Sequence, residues 1–465
     1  MVRATTGRVA HGVTTDSRAV VPGAAFVALR GEKHDAHAFV AAAIDAGAAL
    51  VVVERGRAPD DTRTDAVEVD DTLVAWGAIA GAHLHAWRSA NAAARVVAIT
   101  GSAGKTTTKE LCAALLRTAG ECHATAGNLN NRVGVPAVLL ELEARHRFAV
   151  IEVGMSLPGE IAALAGIVEP DVAVITNVGL AHAGGVGGAI DDVAREKGAL
   201  FEGLRQGGVC VANADDPAVV EQLSRAPSMA RVTSFGRGLA ARYRLVQRDS
   251  LGPEGSRLHV DRRRQGVISV VVPIPGEAAA IDFAAALAAA DAAADGAIDP
   301  TRAMSLLAPI PGRMRVRHAR GVTVLDDAYN ANPGSMRAAL STLAECGDGR
   351  RVAVLGEMKE LGPTAESEHA VLADAVVAAG VALLVSCGGL ADVLARAVRS
   401  RGVEVVLSGS AEQATRDTVE RVRPGDVVLV KASRSVGAER VVDALADLRE
   451  DVARDPRALI HEEGS

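Results

Sequence analysis

Residues 99–108 read ITGSAGKTTT, and this stretch decides the class of fold. It overlaps the apolar run RVVAIT (Arg95–Thr100), which is typical of a buried strand, and leads into TTTKELCAALLRTAG, whose apolar spacing predicts a helix. A strand, a tight glycine loop and a helix start aim backbone N–H groups and the positive helix end at a phosphate. We expect Lys105 to reach the β- and γ-phosphates and the Thr106 hydroxyl to ligate Mg²⁺.

The loop is shorter than the full G-x-x-x-x-G-K-[ST] pattern, because only Ser102 and Ala103 separate Gly101 from Gly104. An accidental glycine-rich turn is therefore the alternative interpretation. The flanking strand and helix favour phosphate binding, since they supply the structural context that the motif requires. A helix N-terminus contributes only about half a charge, so Lys105 and a divalent cation are needed to hold a triphosphate.

Runs rich in valine and isoleucine alternate with alanine- and leucine-rich stretches at helical spacing along the chain. This alternation is typical of parallel sheets with crossover helices and predicts an α/β fold. Between Tyr243 and Pro275 the spacing changes to alternation, which predicts a small antiparallel lobe. The predicted strands are Ala24–Leu29, Ala49–Glu54, Arg95–Thr100, Phe148–Val153, Asp171–Asn177 and Val209–Asn213, and two predicted helices are His37–Ala46 and Ala278–Gly296.

A length of 465 residues suggests three domains, at roughly 150 residues per domain. The first block closes near Asn91, and the segment PIPGRMRVRHARG (Pro309–Gly321) is rich in proline, glycine and arginine, which marks a second boundary. Beyond it, further valine-rich runs such as DVVLVKAS predict a third α/β unit. We expect domains over 1–93, 94–312 and 313–465, with a doubly wound sheet around the phosphate loop of the second.

Composition excludes several classes of protein. A net charge of −7, only 2% aromatic residues and a single dense basic run at Arg262–Arg264 argue against a nucleic-acid surface. Five cysteines without a C-x-x-C pair argue against a disulfide framework. The uncharged stretch Val172–Ile190 contains five glycines and polar residues, which predicts a strand and a loop and not a membrane span. The N-terminal segment has no apolar targeting core, so we expect a cytoplasmic protein, and we expect a monomer.

Polar residues follow two predicted strands of the phosphate-binding sheet. Glu152 ends the run FAVIE, and Asn177 and His182 follow VAVIT. The carboxyl ends of parallel strands form the site of an open sheet, and a buried carboxylate needs a partner, which is either a cation ligand or a structural ion pair. His182 is either a metal ligand or a hydrogen-bonded loop histidine. Lys197 lies in a helical pattern and is expected at the surface, so the residues by themselves do not select it.

Several motifs together resemble the Mur ligases, which form amide bonds with ATP in peptidoglycan synthesis. The resemblance implies a three-domain architecture with a central P-loop doubly wound sheet and a C-terminal Rossmann-like α/β domain. At Gly276–Asp282 the chain reads GEAAAID, where the family often has G-R-H-N-V-x-N near the adenine. The motifs are TTDSRAVVPGAAFVALRGEKHDAHAF (Thr14–Phe39), TGSAGKTTTKE, GNLNNRVGVPAVLL, EVGMSLPGEI, TNVGLAHAGG, REKGALFEGL, PGRMR, LDDAYNANPGSM, VLGEMKELG and VLVKASRS.

The resemblance also implies a role for individual residues. Lys197 matches a lysine that the family carbamylates, which would convert a cation into an anion able to hold a second Mg²⁺. The implied catalytic residues are Lys105, Lys197, Glu152 and His182, and the implied Mg²⁺ ligands are Thr106, Glu152, His182 and Lys197. The implied ATP contacts are Gly101, Ser102, Ala103, Gly104, Lys105, Thr106, Thr107, Asn128, Asn131, Arg313 and Asn330. Ser17 and Arg18 would bind the uridine diphosphate part of the substrate, and Tyr329 and Asn332 would contact the acceptor.

The segment DDAYNANP (Asp326–Pro333) resembles the branch of the family that adds D-alanyl-D-alanine, and the DNPR motif of another branch is absent from the sequence. The implied reaction is transfer of phosphate from ATP to the carboxylate of UDP-N-acetylmuramoyl-tripeptide, followed by attack of the dipeptide amine on the acyl phosphate. Another Mur-type ligase, a folate-polyglutamating enzyme, a P-loop switch and an inactive homologue stay open as alternatives. Substrate-dependent ADP release distinguishes between them.

Overall fold

The computed structural model of the chain describes residues 9–31, 34–180, 183–263 and 265–447. These residues form three sheets, which confirms the α/β class. The first sheet contains β1 (Val13–Thr14), β2 (Ala25–Val27), β3 (Leu50–Glu54) and β4 (Asp65–Val69). The second contains β5 (Arg95–Thr100), β6 (Cys122–Ala124), β7 (Phe148–Glu152), β8 (Val172–Ile175), β9 (Val209–Asn213), β10 (Arg231–Gly236), β11 (Tyr243–Ser250), β12 (Ser256–Asp261) and β13 (Val267–Val272). The third contains β14 (Arg315–Ala319), β15 (Val322–Asp326), β16 (Arg351–Leu355), β17 (Val381–Ser386), β18 (Glu404–Leu407) and β19 (Val427–Lys431).

Helices alternate with the strands through most of the chain. They are α1 (Val40–Asp45), α2 (Thr72–Ala90), α3 (Lys105–Arg117), α4 (Gly134–Leu140), α5 (Glu160–Val168), α6 (Ile190–Glu202), α7 (Pro217–Gln222), α8 (Glu277–Ala294), α9 (Pro300–Ser305), α10 (Pro333–Glu345), α11 (Ala365–Val371), α12 (Ala373–Ala378), α13 (Ala391–Arg399), α14 (Ala411–Arg421) and α15 (Glu439–Ala446). No helix of the described residues is long and apolar enough to cross a membrane. All five cysteines are buried thiols.

The chain divides into two compact units, of which the first comprises residues 1–94, 125–145 and 166–168. Its sheet is parallel, in the order β1-β2-β3-β4. Helix α2 buries Trp76 and Trp87, and the indole of Trp76 donates a hydrogen bond to the carbonyl of Val133 over 2.9 Å. The predicted helix His37–Ala46 is in fact a 3₁₀ turn (Ala36–Phe39) followed by α1. The Asp35 side chain caps that turn by accepting from the N–H of His37, which satisfies one of the backbone donors at its start.

The second unit contains the other two sheets. Its nine-stranded sheet has the order β13-β12-β11-β10-β9-β8-β5-β7-β6, and the strands from β6 to β11 in this order are parallel. Strand β5 lies between β7 and β8, so the chain leaves β5 at the point where the strand order reverses and where open sheets bind ligands. The antiparallel strands β12 and β13 extend this same sheet, so the predicted antiparallel lobe is part of it.

The six-stranded sheet has the order β14-β15-β19-β16-β17-β18, and only β14 runs antiparallel. We call it the ligase sheet, after the family that the sequence resembles. The parallel strands β15, β19, β16 and β17 end at the same edge, so the loops that follow them converge there. The buried runs VTVLD and VVLVK supply its core, as expected for strands covered on both faces.

Helix α8 lies against α3, the helix that follows the phosphate loop. Most of its side chains are alanines, and those from Ala284 to Ala290 are fully buried with Leu287. Small side chains allow two helices to approach closely, and a helix that is apolar all round is a core helix. The predicted helix Ala278–Gly296 is therefore confirmed, within two residues at each end.

Candidate active site

The phosphate loop requires glycine at two positions. Gly101 has φ +154° and Gly104 has φ +81°, and Gly104 is the residue before α3. A Cβ atom at Gly101 would collide with the side chain of Thr176, and one at Gly104 would collide with the carboxyl of Asp282. The left-handed conformation and the close neighbours both exclude a side chain. The loop is thus folded tightly between β5 and α3, as its sequence predicts.

Asn177, in the segment that follows β8, fixes the loop. Its side-chain oxygen accepts from the N–H of Ala103 over 2.9 Å, and its side-chain amide donates to the Ala103 carbonyl over 3.1 Å. The Thr176 hydroxyl donates to the same carbonyl over 2.6 Å. These bonds leave the N–H groups of the first turn of α3 to face a ligand, because a helix has no internal acceptors for them.

Lys105 folds back over the loop. Its Nζ donates to the Gly101 carbonyl over 2.7 Å, and the residue lines the cavity described below. Removal from water lowers the pKa of Lys105, while the nearby carboxylate of Glu152 opposes this effect. The Thr106 hydroxyl accepts from Arg313 Nη2 over 3.2 Å. Lys105 is therefore placed where an anionic ligand of the loop would meet its charge.

Glu152 ends β7 beside the phosphate loop, as predicted. It is 2% exposed, and it lies opposite Ile99 of β5 in the sheet register. His182 lies outside the described residues. Among the residues that are described, no group of three histidine, cysteine, aspartate or glutamate side chains could hold a metal ion.

Lys197 is buried, so the expectation of a surface lysine is wrong. It lies on α6 and is 1% exposed. Burial lowers the pKa of Lys197 well below its ordinary value, and the positive charge of Lys105 lowers it further. Helix α6 packs toward β8 and β5, which directs its apolar face to the sheet. Lys197 is on that face. The sequence pattern predicts a helix, but it does not show that the sheet covers this lysine.

A cavity of about 530 Å³ lies between the phosphate loop and the ligase sheet. This volume is within the usual range for small-molecule sites, about 300–1,000 Å³. Small apolar residues line one part of it, and charged or amide side chains line the other. The apolar part includes Ile274, Pro275, Ala278, Ala279, Ala338 and Ala339, and the polar part includes Lys105, Asn177, Asp282, Arg313, Asp327, Asn330, Asn332, Arg337 and Lys431.

The ligase sheet contributes its residues through the loops after β15 and β19. Asn332 caps α10 by accepting from the N–H of Ser335, and its side-chain amide donates to the Ser102 carbonyl over 3.3 Å. Lys431 Nζ donates to Asp327 Oδ2 over 2.6 Å and to the Asn330 carbonyl over 2.9 Å. Burial lowers the pKa of Lys431, and the Asp327 carboxylate opposes this. This pair therefore fixes the loop that carries Asn330.

Asp327 and Lys431 are cavity residues that the sequence argument did not select. A signal for Asp327 exists, because two adjacent acids end the strand VTVLDD. The sequence signal for Lys431 is similar, because this lysine directly follows the apolar run VVLV at the end of a buried strand. Tyr329 does not line the cavity. Its ring lies 4.2 Å from the guanidinium carbon of Arg313 and 5.3 Å from that of Arg434.

The segment Gly276–Asp282, which departs from the family pattern, contains two acidic residues, Glu277 and Asp282. Glu277 pairs with Arg237 and with Arg248, and Arg248 Nη2 also donates to Glu345 Oε1 over 2.7 Å. Burial raises the pKa of Asp282 to about 8, against the opposing effects of Thr108 and Arg313. Asp282 lines the cavity at the phosphate loop, so this departure changes the wall of the site.

Four predicted site residues lie in the first unit. Ser17 and Arg18 form a 3₁₀ turn that Asp16 caps, and Arg18 donates to both carboxylate oxygens of Asp16 over 2.9 and 2.7 Å. These bonds lower the pKa of Asp16 to about 2. Asn131 Oδ1 accepts from the N–H groups of Val133 and Gly134 at the start of α4. Asn128 is exposed.

Comparison with protein families matches three models along the chain. They are the Mur ligase family catalytic domain over residues 9–114, the Mur ligase middle domain over 99–290, and the Mur ligase glutamate ligase domain over 312–434. Two UDP-N-acetylmuramoyl-tripeptide–D-alanyl-D-alanine ligases are similar over nearly their whole length. The Escherichia coli protein is 36% identical, covering 94% of this chain and 93% of the relative, and the Bacillus subtilis protein is 32% identical, covering 94% of each.

Solved structures agree with these relatives. MurF from Acinetobacter baumannii has a TM-score of 0.83 and 31% identity, and the match covers 94% of this chain and 93% of that one. MurF from Thermotoga maritima, solved in complex with ADP, has a TM-score of 0.83 and 26% identity over 95% and 98% of the two chains. The expected three-domain architecture is therefore confirmed.

Proposed function

Because the chain belongs to the Mur ligase family, we propose that it uses ATP to join D-alanyl-D-alanine to UDP-N-acetylmuramoyl-tripeptide. The product is the pentapeptide precursor of peptidoglycan. The observation that carries the proposal is the cavity that Lys105 of the phosphate loop shares with Asn330 and Asn332 of DDAYNANP. One cavity thus joins a phosphate-binding loop to residues suited to an amide substrate.

ATP occupies this cavity with its phosphates at the loop. The N–H groups at the start of α3 and the ammonium of Lys105 neutralise charge on the transferred phosphoryl group. Arg313, held beside Thr106, and Asn330 complete the nucleotide contacts. The apolar part of the cavity, which includes Ile274, Pro275 and Ala278, suits the base by its chemistry.

The residues at the loop fit a magnesium ion. Mg²⁺ is usually bound by one or two carboxylates together with substrate phosphates, and it prefers oxygen ligands. Thr106 offers a hydroxyl and Glu152 a buried carboxylate at the same edge of the sheet, and His182 is the third proposed ligand. When bound, the ion would neutralise charge on the β- and γ-phosphates.

Lys197 fits the family's carbamylated lysine. Carbamate formation needs a neutral amine, and burial lowers the pKa of Lys197 well below its ordinary value. The neutral Nζ forms a bond to the carbon of CO₂ and releases a proton, which leaves an anion. That anion would be favoured beside the positive charge of Lys105 and would hold a second Mg²⁺.

The chain's own residues position the reactants and exclude water. Phosphoryl transfer to the tripeptide carboxylate gives an acyl phosphate, which water would hydrolyse. Asn332 and Arg313 hold the ligase sheet against the phosphate loop through Ser102 and Thr106, and this contact covers the reacting groups. The neutral amine of the acceptor then attacks the acyl carbon, phosphate leaves with the electrons of the C–O bond, and the nitrogen loses a proton to give the amide. Tyr329 and Asn332 are the proposed acceptor contacts.

The first unit receives the nucleotide sugar in this proposal. Ser17 and Arg18 are the proposed contacts of the uridine diphosphate part, and Asn128 and Asn131 remain proposed ATP contacts. We keep three proposed domains: residues 1–93 bind the UDP-substrate, residues 94–312 bind ATP, and residues 313–465 form the C-terminal ligase domain. The protein acts as a monomer in the cytoplasm, where its nucleotide substrates are available.

Acceptor-dependent ADP release tests the proposal. With ATP and UDP-N-acetylmuramoyl-tripeptide, D-alanyl-D-alanine should release ADP and phosphate in equal amounts, whereas meso-diaminopimelate, L-lysine and L-glutamate should not. Asparagine and tyrosine side chains can form hydrogen bonds with the amide of the dipeptide. The charged side chain of a single amino acid such as L-lysine would instead be removed from water without a counter-charge. Faster release with a single amino acid and its matching shorter UDP-substrate would refute the acceptor while retaining the ligase class.

A further inference from the structure

The loop after β19 holds an exposed arginine to which the proposed function gives no role. Arg434 begins a 3₁₀ turn, Arg434–Val436, at the carboxyl edge of the ligase sheet. Its guanidinium carbon lies 5.3 Å from the centre of the Tyr329 ring. A guanidinium held over an aromatic face by cation–π attraction keeps a defined direction. Arg434 is therefore an oriented cation that solvent can reach.

The other cations that end the neighbouring strands are already engaged. Lys431 lies 2.6 Å from Asp327, and Lys359, in the loop after β16, lies 2.6 Å from Glu357. Arg313 reaches Thr106 in the nucleotide cavity. Within the described ranges of the chain, Arg434 forms no ion pair and no hydrogen bond through its side chain. Its charge is available to an anionic ligand, and the Tyr329 ring connects Arg434 to Arg313, which lines the cavity.

We propose that Arg434 binds the terminal carboxylate of the dipeptide acceptor, an inference that rests on the proposed function. A guanidinium matches a carboxylate in a bidentate pair. An extended dipeptide spans about 7 Å, so an acceptor whose carboxylate is held at Arg434 extends its amine about that far from the guanidinium, and Arg313, a cavity residue, lies on the same Tyr329 ring. Tyr329 acts as a positioning residue, because its ring contacts both Arg434 and Arg313.

Removing the charge of the acceptor provides the first test. Initial rates are measured for the unmodified enzyme with D-alanyl-D-alanine and with its C-terminal carboxamide, which has nearly the same shape and no negative charge. The carboxamide should raise the acceptor KM about 30-fold, as expected for loss of a charge-assisted pair. The kcat should stay within about twofold, because the reacting amine is unchanged.

Variants of Arg434 provide the second test. Arg434→Gln should raise the KM for D-alanyl-D-alanine about 30-fold and should remove the preference for the acid over the carboxamide. The KM for ATP should not change. Arg434→Lys should recover part of the affinity, because an ammonium keeps the charge but loses the bidentate geometry. The matched control is Arg399→Gln, which alters an exposed arginine at the end of α13 and should leave every parameter unchanged.

The outcomes separate this inference from the proposed function. If the unmodified enzyme has equal KM values for the acid and the carboxamide, or if Arg434→Gln still prefers the acid, the role of Arg434 is refuted while dipeptide-dependent ADP release still supports the function. If neither dipeptide releases ADP, the proposed function fails and the role of Arg434 fails with it.

Discussion

Breaking the ion pair between Arg248 and Glu345 should weaken ATP binding about tenfold. Arg248 lies on β11, and Glu345 is the last residue of α10. The start of α10 lines the nucleotide cavity, where Asn332 contacts the phosphate loop at Ser102. The pair therefore holds the far end of this cavity wall against the nucleotide-binding sheet.

The magnitude follows from the geometry. Two unit charges 2.7 Å apart attract by about 6 kcal/mol at an effective dielectric constant of about 20. Desolvation and screening offset most of this attraction, and a hydrogen bond to a charged group retains about 1.5–3 kcal/mol. The Arg248 side chain is 11% exposed and that of Glu345 is 28% exposed, so we take the lower value. A loss of about 1.4 kcal/mol is tenfold in affinity.

A double-mutant cycle isolates this pair from the contact of Arg248 with Glu277. ATP is titrated calorimetrically into the unmodified enzyme, Arg248→Met, Glu345→Gln and the double variant. The expected coupling is about 1.5 kcal/mol. Arg244→Met, on the same strand but 3.9 Å from Asp261 of β12, is the control and should change affinity less than about twofold. Purely additive effects of the two substitutions would refute the reasoning.

Three further predictions concern the proposed active site. Lys105→Ala should keep the far-ultraviolet circular dichroism spectrum and lower turnover at least about a hundredfold; near-normal turnover would contradict the ATP site. Mildly acidic, degassed buffer should lower activity and bicarbonate should restore it, whereas Lys197→Arg should stay inactive in both; an unmodified Lys197 in crystals of active enzyme would contradict this. In the folded protein Asp282 keeps its proton up to about pH 8, whereas in the unfolded chain it loses that proton near pH 3.8. The contribution of Asp282 to the free energy of unfolding therefore falls as the pH rises across this interval. Asp282→Asn should remove that loss, so the melting temperature of the variant relative to that of the unmodified protein should be higher at pH 8 than at pH 5. An equal difference in melting temperature at the two pH values would contradict this prediction.

The parts of the fold that depend on local pattern were predictable from the sequence. Strands β5 and β9 have the predicted bounds, and α8 differs from its prediction by two residues at most. A buried parallel strand is a continuous apolar run and a core helix is an alanine-rich one, so each carries its own signal. The phosphate loop was predictable for the same reason, since its glycines, Lys105 and the helix start are adjacent in sequence.

The parts of the site that depend on tertiary packing were not predictable. Lys197 lies in an ordinary helical pattern, and only the packing of α6 on the sheet buries it. Asp327 and Lys431 are 104 residues apart and meet because β15 and β19 are neighbours. Tyr329 was expected at the acceptor, and the contacts of its ring with two arginines depend on three separate loops. Asp327 and Lys431 each have a signal of their own at the end of a strand, but sequence spacing does not show which strand ends or loops come into contact.

The segment Gly276–Asp282 shows how the departure from the family pattern alters the site. Ala278 and Ala279 stand where the pattern has histidine and asparagine, and their methyl groups line the cavity without any hydrogen-bonding atom. Glu277 does not line the cavity, and it is engaged by Arg237 and Arg248. Among the side chains of this segment that line the cavity, Asp282 is the one that can accept or donate a hydrogen bond. Any hydrogen bond from these side chains to a bound nucleotide must therefore come from Asp282, and its raised pKa makes it a donor as well as an acceptor at neutral pH.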